Sequence, residues 1–138
     1  MTTSVPTPDA PRAARPLSPH LQVYKPQITS VMSILHRITG VGLALALPAL
    51  VVWLVALSQG PEAYHAVMTC FTSPVGKLFL MGWSWAFSYH LCAGVRHLIW
   101  DTGKGLGLKQ VYASGRIALA VSTLMTIVLW AYILGWTA

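Results

Sequence analysis

The chain reads His-Leu-Cys-Ala-Gly-Val-Arg-His-Leu-Ile-Trp-Asp from His90 to Asp101, at the end of a long apolar segment. At about 100° of turn per helical residue, Gly94, His97 and Asp101 fall on the same helix face as His90. A histidine within a membrane helix is costly without a partner, so it marks either a functional site or a buried hydrogen bond. Gly94 removes a side chain where a flat ligand would approach the backbone. The spacing alone leaves open whether His90 binds a metal or only bonds a neighbouring helix.

The composition indicates a membrane protein. Of the 138 residues, 55% are hydrophobic and 9% are charged, too few charges to cover a soluble globule of this size. The net charge of +6 does not indicate nucleic-acid binding, because the basic residues are scattered around the ends of apolar runs. Cys70 and Cys92 are far apart and are expected to be ordinary packing residues.

The apolar runs predict an all-α membrane protein with three transmembrane helices. The expected spans are residues 28–57, 75–100 and 114–136, and together they form one membrane domain over residues 28–138. Each run has the roughly 20 residues that a helix needs to cross a bilayer core of about 30 Å. The polar connector between the first two spans is expected to carry a short interfacial helix at about residues 63–71.

Residues 1–27 are expected to form a tail and a surface segment, because six of the nine prolines lie there. His20 and Tyr24 are expected to be interface anchors. The segment has no apolar core of a secretory signal, and its prolines and Asp9 fit an organelle presequence poorly. We therefore expect a bacterial inner-membrane protein rather than a mitochondrial one.

The flanking charges predict the orientation in the membrane. Lys77, at the start of the second span, is the one lysine or arginine near the connector between the first two spans, whereas six basic residues lie in the tail and around the loop between the second and third spans. These are Arg12, Arg15, Lys25, Lys104, Lys109 and Arg116. By the positive-inside rule, the amino terminus is expected in the cytoplasm and the carboxyl terminus on the other side.

A second polar group lies near the start of the first span. Ser33, His36 and Arg37 share one helix face, at spacings of three and four residues. In the expected orientation they lie at the depth of His97 and Asp101 on the second span. A hydroxyl, an imidazole and a guanidinium on one face suit the carboxylates or carbonyls of a ligand. The sequence therefore predicts one polar site at the cytoplasmic side.

Two long motifs carry a resemblance to a known family. One is His90-x3-Gly-Val-Arg-His-Leu-x-Trp-Asp-x-Gly103, and the other joins Arg-Pro-Leu-Ser-Pro-His-Leu at residues 15–21 to Ser-Ile-Leu-His-Arg-Ile-Thr-Gly at residues 33–40. In this order they resemble the cytochrome b556 subunits of succinate dehydrogenase, the larger membrane anchors of respiratory complex II. The resemblance covers nearly all of residues 15–138.

The resemblance implies a haem-binding helical bundle that a second small anchor subunit completes. It makes His90 an axial ligand of haem b and pairs His36 and Arg37 with the haem propionates. His97 also matches the motif, and it either contacts a propionate or only packs. His90 lies roughly 10 Å deeper than His97, near mid-bilayer. No histidine, methionine or cysteine of the first or third span can be assigned to that depth from the sequence. The second axial ligand is therefore expected from a different chain.

The resemblance also implies a place in an electron-transfer complex. The chain would anchor a flavoprotein with FAD and an iron-sulfur protein, and it would catalyse nothing when isolated. Ser33 and Arg37 would line a pocket in which ubiquinone is reduced, with Asp101 beside it.

Two alternatives remain open at this stage. One is the anchor of a quinol-oxidising fumarate reductase, because the sequence does not set the direction of turnover. The other is a haem-free structural anchor in which His90 only joins two helices. An absorbance spectrum of the purified complex distinguishes the second alternative from a haem-binding anchor.

Overall fold

The described part of the chain is entirely helical apart from its short connections. A computed structural model describes residues 25–136, so the predicted surface anchors His20 and Tyr24 lie outside the described residues. The helices are α1 (Ile28–Gln59), α2 (Pro61–Thr72), α3 (Pro74–Asp101) and α4 (Leu108–Trp136).

Two of these helices are long and apolar enough to cross a membrane by length and composition. They are Ile28–Gln59, with a mean hydropathy of 2.4 in its most apolar stretch, and Leu108–Gly135, with 2.2. Helix α3 has 28 residues but carries two histidines and an arginine in its second half, which lower its hydropathy. The predicted all-helical class is confirmed, whereas the second span, expected at residues 75–100, stays a prediction.

Glycine and proline set the boundaries around the short helix α2. Gly60 has a φ of 108°, which side-chain-bearing residues rarely adopt, and it turns the chain between α1 and α2. Prolines occupy the first position of both α2 and α3, where the missing amide hydrogen costs no hydrogen bond. The Ser73 side chain caps α3 by accepting a hydrogen bond from the Gly76 amide at 3.1 Å. The short helix predicted in the connector is confirmed.

Helix α3 packs against both α1 and α4 and forms the centre of the bundle. Tyr89 is fully buried, and its hydroxyl donates a hydrogen bond to the backbone oxygen of Met32 on α1 at 3.0 Å. Ala93 and Ala118 are buried beside it and keep the helix backbones close together. The core therefore combines small side chains with one satisfied phenol.

Arg96 joins the end of α3 to the start of α4. Its side chain is buried and donates hydrogen bonds to the Ser114 hydroxyl at 2.9 Å and to the Val111 backbone oxygen at 2.8 Å. The guanidinium carbon also lies 4.0 Å from the centroid of the Trp100 ring. This combination of hydrogen bonds and cation–π contact compensates for the burial of a cation.

Two tryptophans make further hydrogen bonds between α3 and α4. Trp85 donates to the Thr123 hydroxyl at 3.2 Å, and Trp130 donates to the Ser84 hydroxyl at 2.9 Å. Hydrogen bonds between side chains of neighbouring membrane helices are each worth about 0.6 kcal/mol on average. Together with Arg96 they hold α3 and α4 together along most of their length.

The outer faces of the long helices expose large apolar side chains. Leu45 is 77% exposed, Ile38 61% and Leu124 60%. A soluble monomer rarely exposes such extended apolar surface, whereas helices surrounded by lipid or by another membrane chain do.

Candidate functional site

Three histidines from two helices meet between α1 and α3. The rings of His36 and His90 are stacked, with their centroids 4.0 Å apart and an angle of 8° between the planes. The His97 ring lies 5.0 Å from His36, edge to face. We call His36, His90 and His97 the histidine cluster. His90 and His97 are about two turns apart along α3. Since His36 contacts both rings, the start of α1 lies beside the end of α3.

The position of His36 corrects one expectation from the sequence. No histidine of the first span was assigned to the depth of His90, yet the His36 ring stacks on it. The backbone positions of the two histidines differ in depth, but an imidazole side chain is long enough to span this difference. His36 therefore reaches both His90 and His97, although their backbones are about 10 Å apart along α3.

The hydrogen bonds of His90 determine which of its nitrogens carries the proton. Nδ1 lies 3.1 Å from the backbone oxygen of His36 and 3.3 Å from the Thr39 hydroxyl. A carbonyl oxygen can only accept, so Nδ1 must be the donor. In the neutral ring, Nε2 then keeps its lone pair, and it makes no hydrogen bond to any of the described residues. This is the tautomer of a histidine that binds a metal through Nε2.

Gly40 provides the space in which the His90 ring lies. A Cβ atom at residue 40 would lie 2.9 Å from Cε1 of His90, closer than real Cβ contacts come. At Gly42, half a turn further along α1, a Cβ would meet nothing within 4 Å. A Cβ at Gly94 would also meet nothing within 4 Å. The expectation that Gly94 leaves room for a flat ligand therefore stays a prediction.

One ring nitrogen of His36 is buried without a hydrogen bond to any residue that the structure describes. Among the described residues, Nε2 of His36 is the buried side-chain polar atom that makes no hydrogen bond. Such an atom costs about 1–3 kcal/mol, and native proteins usually supply a partner. A ligand group that can bond an imidazole nitrogen would remove this cost.

Ser33, Arg37 and Asp101 are exposed and stand apart from the histidine cluster. None of the three makes a hydrogen bond or an ion pair with another residue in the described part of the chain. Ser33 and Arg37 lie on the outer side of α1, and Asp101 ends α3. The structure thus brings the three predicted histidines together and leaves the other three predicted site residues accessible to a ligand or a second chain.

Two residues that support the site were not singled out from the sequence. Thr39 is buried at the centre of the His90 contacts, and Arg96 holds the end of α3 against α4. Arg96 follows Tyr89 and Ala93 at spacings of seven and three residues, which places it on the buried face of α3. Thr39 lies three residues after His36 and is similarly recognisable as part of the same face of α1.

The opposite end of the bundle contains a large apolar cleft. It has a volume of about 1170 Å³ and is lined by residues of all four helices, including Trp83 and Phe87. These two aromatic residues continue the face of His90 in sequence. Their position in the cleft fits packing against lipid or protein, and no ionisable pair occurs there within the described residues.

The donor set suits a haem iron better than a bare metal ion. No group of three or more histidine, cysteine, aspartate or glutamate side chains that could hold a metal occurs in the described residues. A haem iron takes four ligands from its porphyrin and needs only axial ligands from protein, for which an imidazole Nε2 is common. His90 has the tautomer for this role, and the unpaired His36 nitrogen lies in contact with its ring.

Comparisons with known proteins agree with this chemistry. Residues 11–129 match the family described as succinate dehydrogenase/fumarate reductase transmembrane subunit. A succinate dehydrogenase cytochrome b556 subunit of Rickettsia prowazekii is 45% identical over 84% of this chain and 90% of its own length. That of Paracoccus denitrificans is 40% identical over 86% and 92%. A cytochrome b560 subunit of Reclinomonas americana is 40% identical over 84% of both chains.

Replacing Gly40 tests the close approach of the two helices. We expect Gly40→Ala to push the His90 ring away from α1, because overpacking of this kind typically costs about 1–3 kcal/mol. The measurement is the b-type haem absorbance per mole of purified complex, which should fall. Gly42→Ala is the matched control and should keep the wild-type absorbance, since its Cβ meets nothing within 4 Å. Equal absorbance in both variants would contradict the assigned geometry.

Proposed function

The chain belongs to the transmembrane-subunit family of succinate dehydrogenase and fumarate reductase, and from this premise we propose that it is the haem b-containing anchor of a succinate dehydrogenase. The observation that carries the proposal is the hydrogen bond from His90 Nδ1 to the His36 backbone, which leaves Nε2 available as an axial ligand. The similar Rickettsia and Paracoccus proteins are named as cytochrome b556 subunits of succinate dehydrogenase, which favours this enzyme over a fumarate reductase.

In the proposed complex the chain crosses the membrane three times, with α3 as the second span. A helix of 28 residues is about 42 Å long, more than a bilayer core of about 30 Å requires. Its histidines and Arg96 are directed at α1 and α4, so they are shielded from lipid. The exposed apolar faces of α1 and α4 contact lipid and a second small anchor subunit, which completes the bundle.

His90 would hold the haem iron on one side, and the other protein ligand would come from the second anchor subunit. The lone pairs of an imidazole lie in its ring plane, so two rings stacked at 8° direct them side by side instead of towards a common iron. His36 therefore does not share the iron with His90. When bound, haem b supplies one-electron redox chemistry at this position.

His36, Arg37 and His97 hold the propionate end of the haem. Nε2 of His36 gains a hydrogen-bond partner when a propionate oxygen lies beside it. Arg37 follows directly in the sequence and adds a permanent positive charge, which suits a dianionic ligand. His97 contacts the His36 ring and helps to orient it.

Ser33, Arg37 and Asp101 form part of the pocket for ubiquinone. The exposed hydroxyl and guanidinium are one helical turn apart on α1, and both can donate hydrogen bonds to a quinone carbonyl. Asp101 lies at the end of α3, on the same side of the membrane.

The chemistry of succinate takes place outside this chain. A flavoprotein with FAD oxidises succinate, the iron-sulfur subunit passes the electrons on, and the anchor presents ubiquinone to them. The isolated chain therefore has no activity of its own. The complex lies in the bacterial inner membrane, with the amino terminus of this chain in the cytoplasm.

Replacing His90 tests the haem assignment. His90→Leu should sharply reduce or shift the reduced-minus-oxidised b-type spectrum of the complex, because the axial imidazole is lost. His65→Leu is the control, since His65 is exposed on α2 and, among the described residues, its ring contacts only Tyr64. An unchanged spectrum and normal haem content in His90→Leu would support a haem-free role for this histidine and refute the assignment.

Reporter fusions test the orientation. A reporter that is active only in the cytoplasm should work at the amino terminus and fail at the carboxyl terminus, because three spans place the two ends on opposite sides. The opposite pattern would overturn the orientation, and activity at both ends would exclude an odd number of spans.

Replacing Ser33 tests the quinone pocket. Ser33→Ala should lower electron transfer to ubiquinone, since loss of one such donor typically costs a factor of about 10² to 10³ in rate. Succinate oxidation by a soluble dye should stay near wild type, because the dye takes electrons before the membrane site. Arg37→Leu should be more severe, and Arg37→Lys milder.

Ser58→Ala is the matched control for Ser33→Ala, because this serine is exposed near the other end of α1 and bonds only its own helix. The role assigned to Ser33 would be wrong if Ser33→Ala kept full ubiquinone reduction with unchanged apparent affinity. It would also be wrong if dye reduction and ubiquinone reduction fell in parallel.

A further inference from the structure

Thr39 lies at the contact between His90 and α1. Its side chain is buried, and its hydroxyl oxygen is 3.3 Å from Nδ1 of His90. The same oxygen lies 2.9 Å from the Leu35 backbone oxygen and 3.0 Å from that of His36. Three polar atoms of one turn of α1 therefore lie together beside one ring nitrogen of α3.

The available protons determine how these atoms are connected. Both carbonyl oxygens can only accept, so the Thr39 hydroxyl hydrogen is directed at them, shared between Leu35 and His36. The lone pairs of the Thr39 oxygen are then directed at the remaining donor, which is Nδ1–H of His90. His90 thus donates to two acceptors at once, the His36 carbonyl and the Thr39 hydroxyl.

We propose that Thr39 is a positioning residue for His90, and that its hydroxyl fixes the orientation of the imidazole and increases the electron density on the nitrogen that would bind the haem iron. This inference rests on the proposed function, because it presupposes that His90 is an axial ligand. Thr39 itself touches neither the iron nor the quinone in this assignment.

The second acceptor changes the electronic character of His90. A ring that donates a hydrogen bond from Nδ1 carries more negative charge on Nε2, so it donates more electron density to a bound metal. Such a ligand stabilises ferric iron more than ferrous iron, because the ferric ion has the higher charge. The Thr39 hydroxyl therefore lowers the midpoint potential of the haem.

Threonine suits this position for a second reason. A β-branched side chain has few rotamers in a helix, and its hydroxyl is held by the preceding turn of α1. The neighbouring Gly40 leaves the space for the edge of the His90 ring. Thr39 thus sets the orientation of the His90 ring, and Gly40 sets how closely the ring approaches α1.

A purely structural role for Thr39 makes a different prediction. In that case the hydroxyl only satisfies the α1 backbone, and its loss would lower the stability of the complex without altering the iron. Thr126 provides this comparison, because it is also buried in a helix and bonds only the backbone of Ser122, four residues earlier.

The experiment compares Thr39→Val, Thr39→Ser and Thr126→Val in the complete purified complex. Thr39→Val should shift the ferric-to-ferrous equilibrium by about tenfold towards ferrous haem, since loss of such an outer partner typically changes metal binding by about 10- to 100-fold. For a one-electron couple this is a rise of about 59 mV in the midpoint potential. The electron paramagnetic resonance signal of the ferric haem should shift with it.

The two controls separate positioning from packing. Thr39→Ser keeps the hydroxyl and should restore the wild-type potential and signal, whereas Thr126→Val should leave both unchanged. If Thr39→Val does not assemble, Thr39→Ala takes its place, because it removes the hydroxyl without adding a methyl group beside Nδ1. Unchanged potential and signal in the assembled variant would overturn the inference.

The outcome also distinguishes this inference from the proposed function. If His90→Leu abolishes the b-type signal while the hydroxyl-free variant at residue 39 has the wild-type potential, His90 is a ligand and the role of Thr39 is wrong. If His90→Leu leaves the signal unchanged, the haem assignment fails and the Thr39 inference falls with it.

Discussion

The hydrogen bond from His90 Nδ1 to the His36 carbonyl oxygen joins α3 to the backbone of α1. A helical carbonyl that already accepts a bond within its own helix still has a second lone pair, and here an imidazole from another helix uses it. Three features depend on this contact: the tautomer of His90, the glycine at residue 40 and the stacking of His36. Moving either helix along its axis by a few ångströms would disrupt all three.

Polar groups in the bundle are satisfied in two different ways. Most serine and threonine hydroxyls donate to a carbonyl three or four residues earlier in their own helix, such as Ser88 to Ser84 and Thr126 to Ser122. Such bonds satisfy a hydroxyl without joining helices. The bonds made by Tyr89 and Arg96 instead cross between helices, so they fix how the helices are arranged. The exposed side chains of Ser33 and Arg37 on α1 make neither kind of bond within the described residues, which fits a role in binding a ligand.

Hydropathy and charge were sufficient to predict the helices, because a continuous apolar run has few structural alternatives. Arg37, expected on the same face as His36, is instead exposed on the outer side of α1. The face shared by His90 and His97 followed from helical periodicity. The stacking of His36 on His90 did not, because it depends on the lengths and rotamers of side chains across a helix interface. Thr39 was missed for a related reason: a threonine in a membrane helix usually bonds its own backbone, and only the position of the opposite helix gives it a second partner.

The connections between α3 and α4 differ from those to α1 in a way that bears on assembly. A short loop and the bonds of Arg96, Trp85 and Trp130 join α3 and α4 into a helical hairpin. The imidazole comes from this hairpin, whereas the acceptors that orient it come from α1. Association of α1 with the hairpin and binding at His90 are therefore thermodynamically linked, so that each strengthens the other. A ligand at His90 is therefore expected to bind tightly only after α1 has packed against the hairpin.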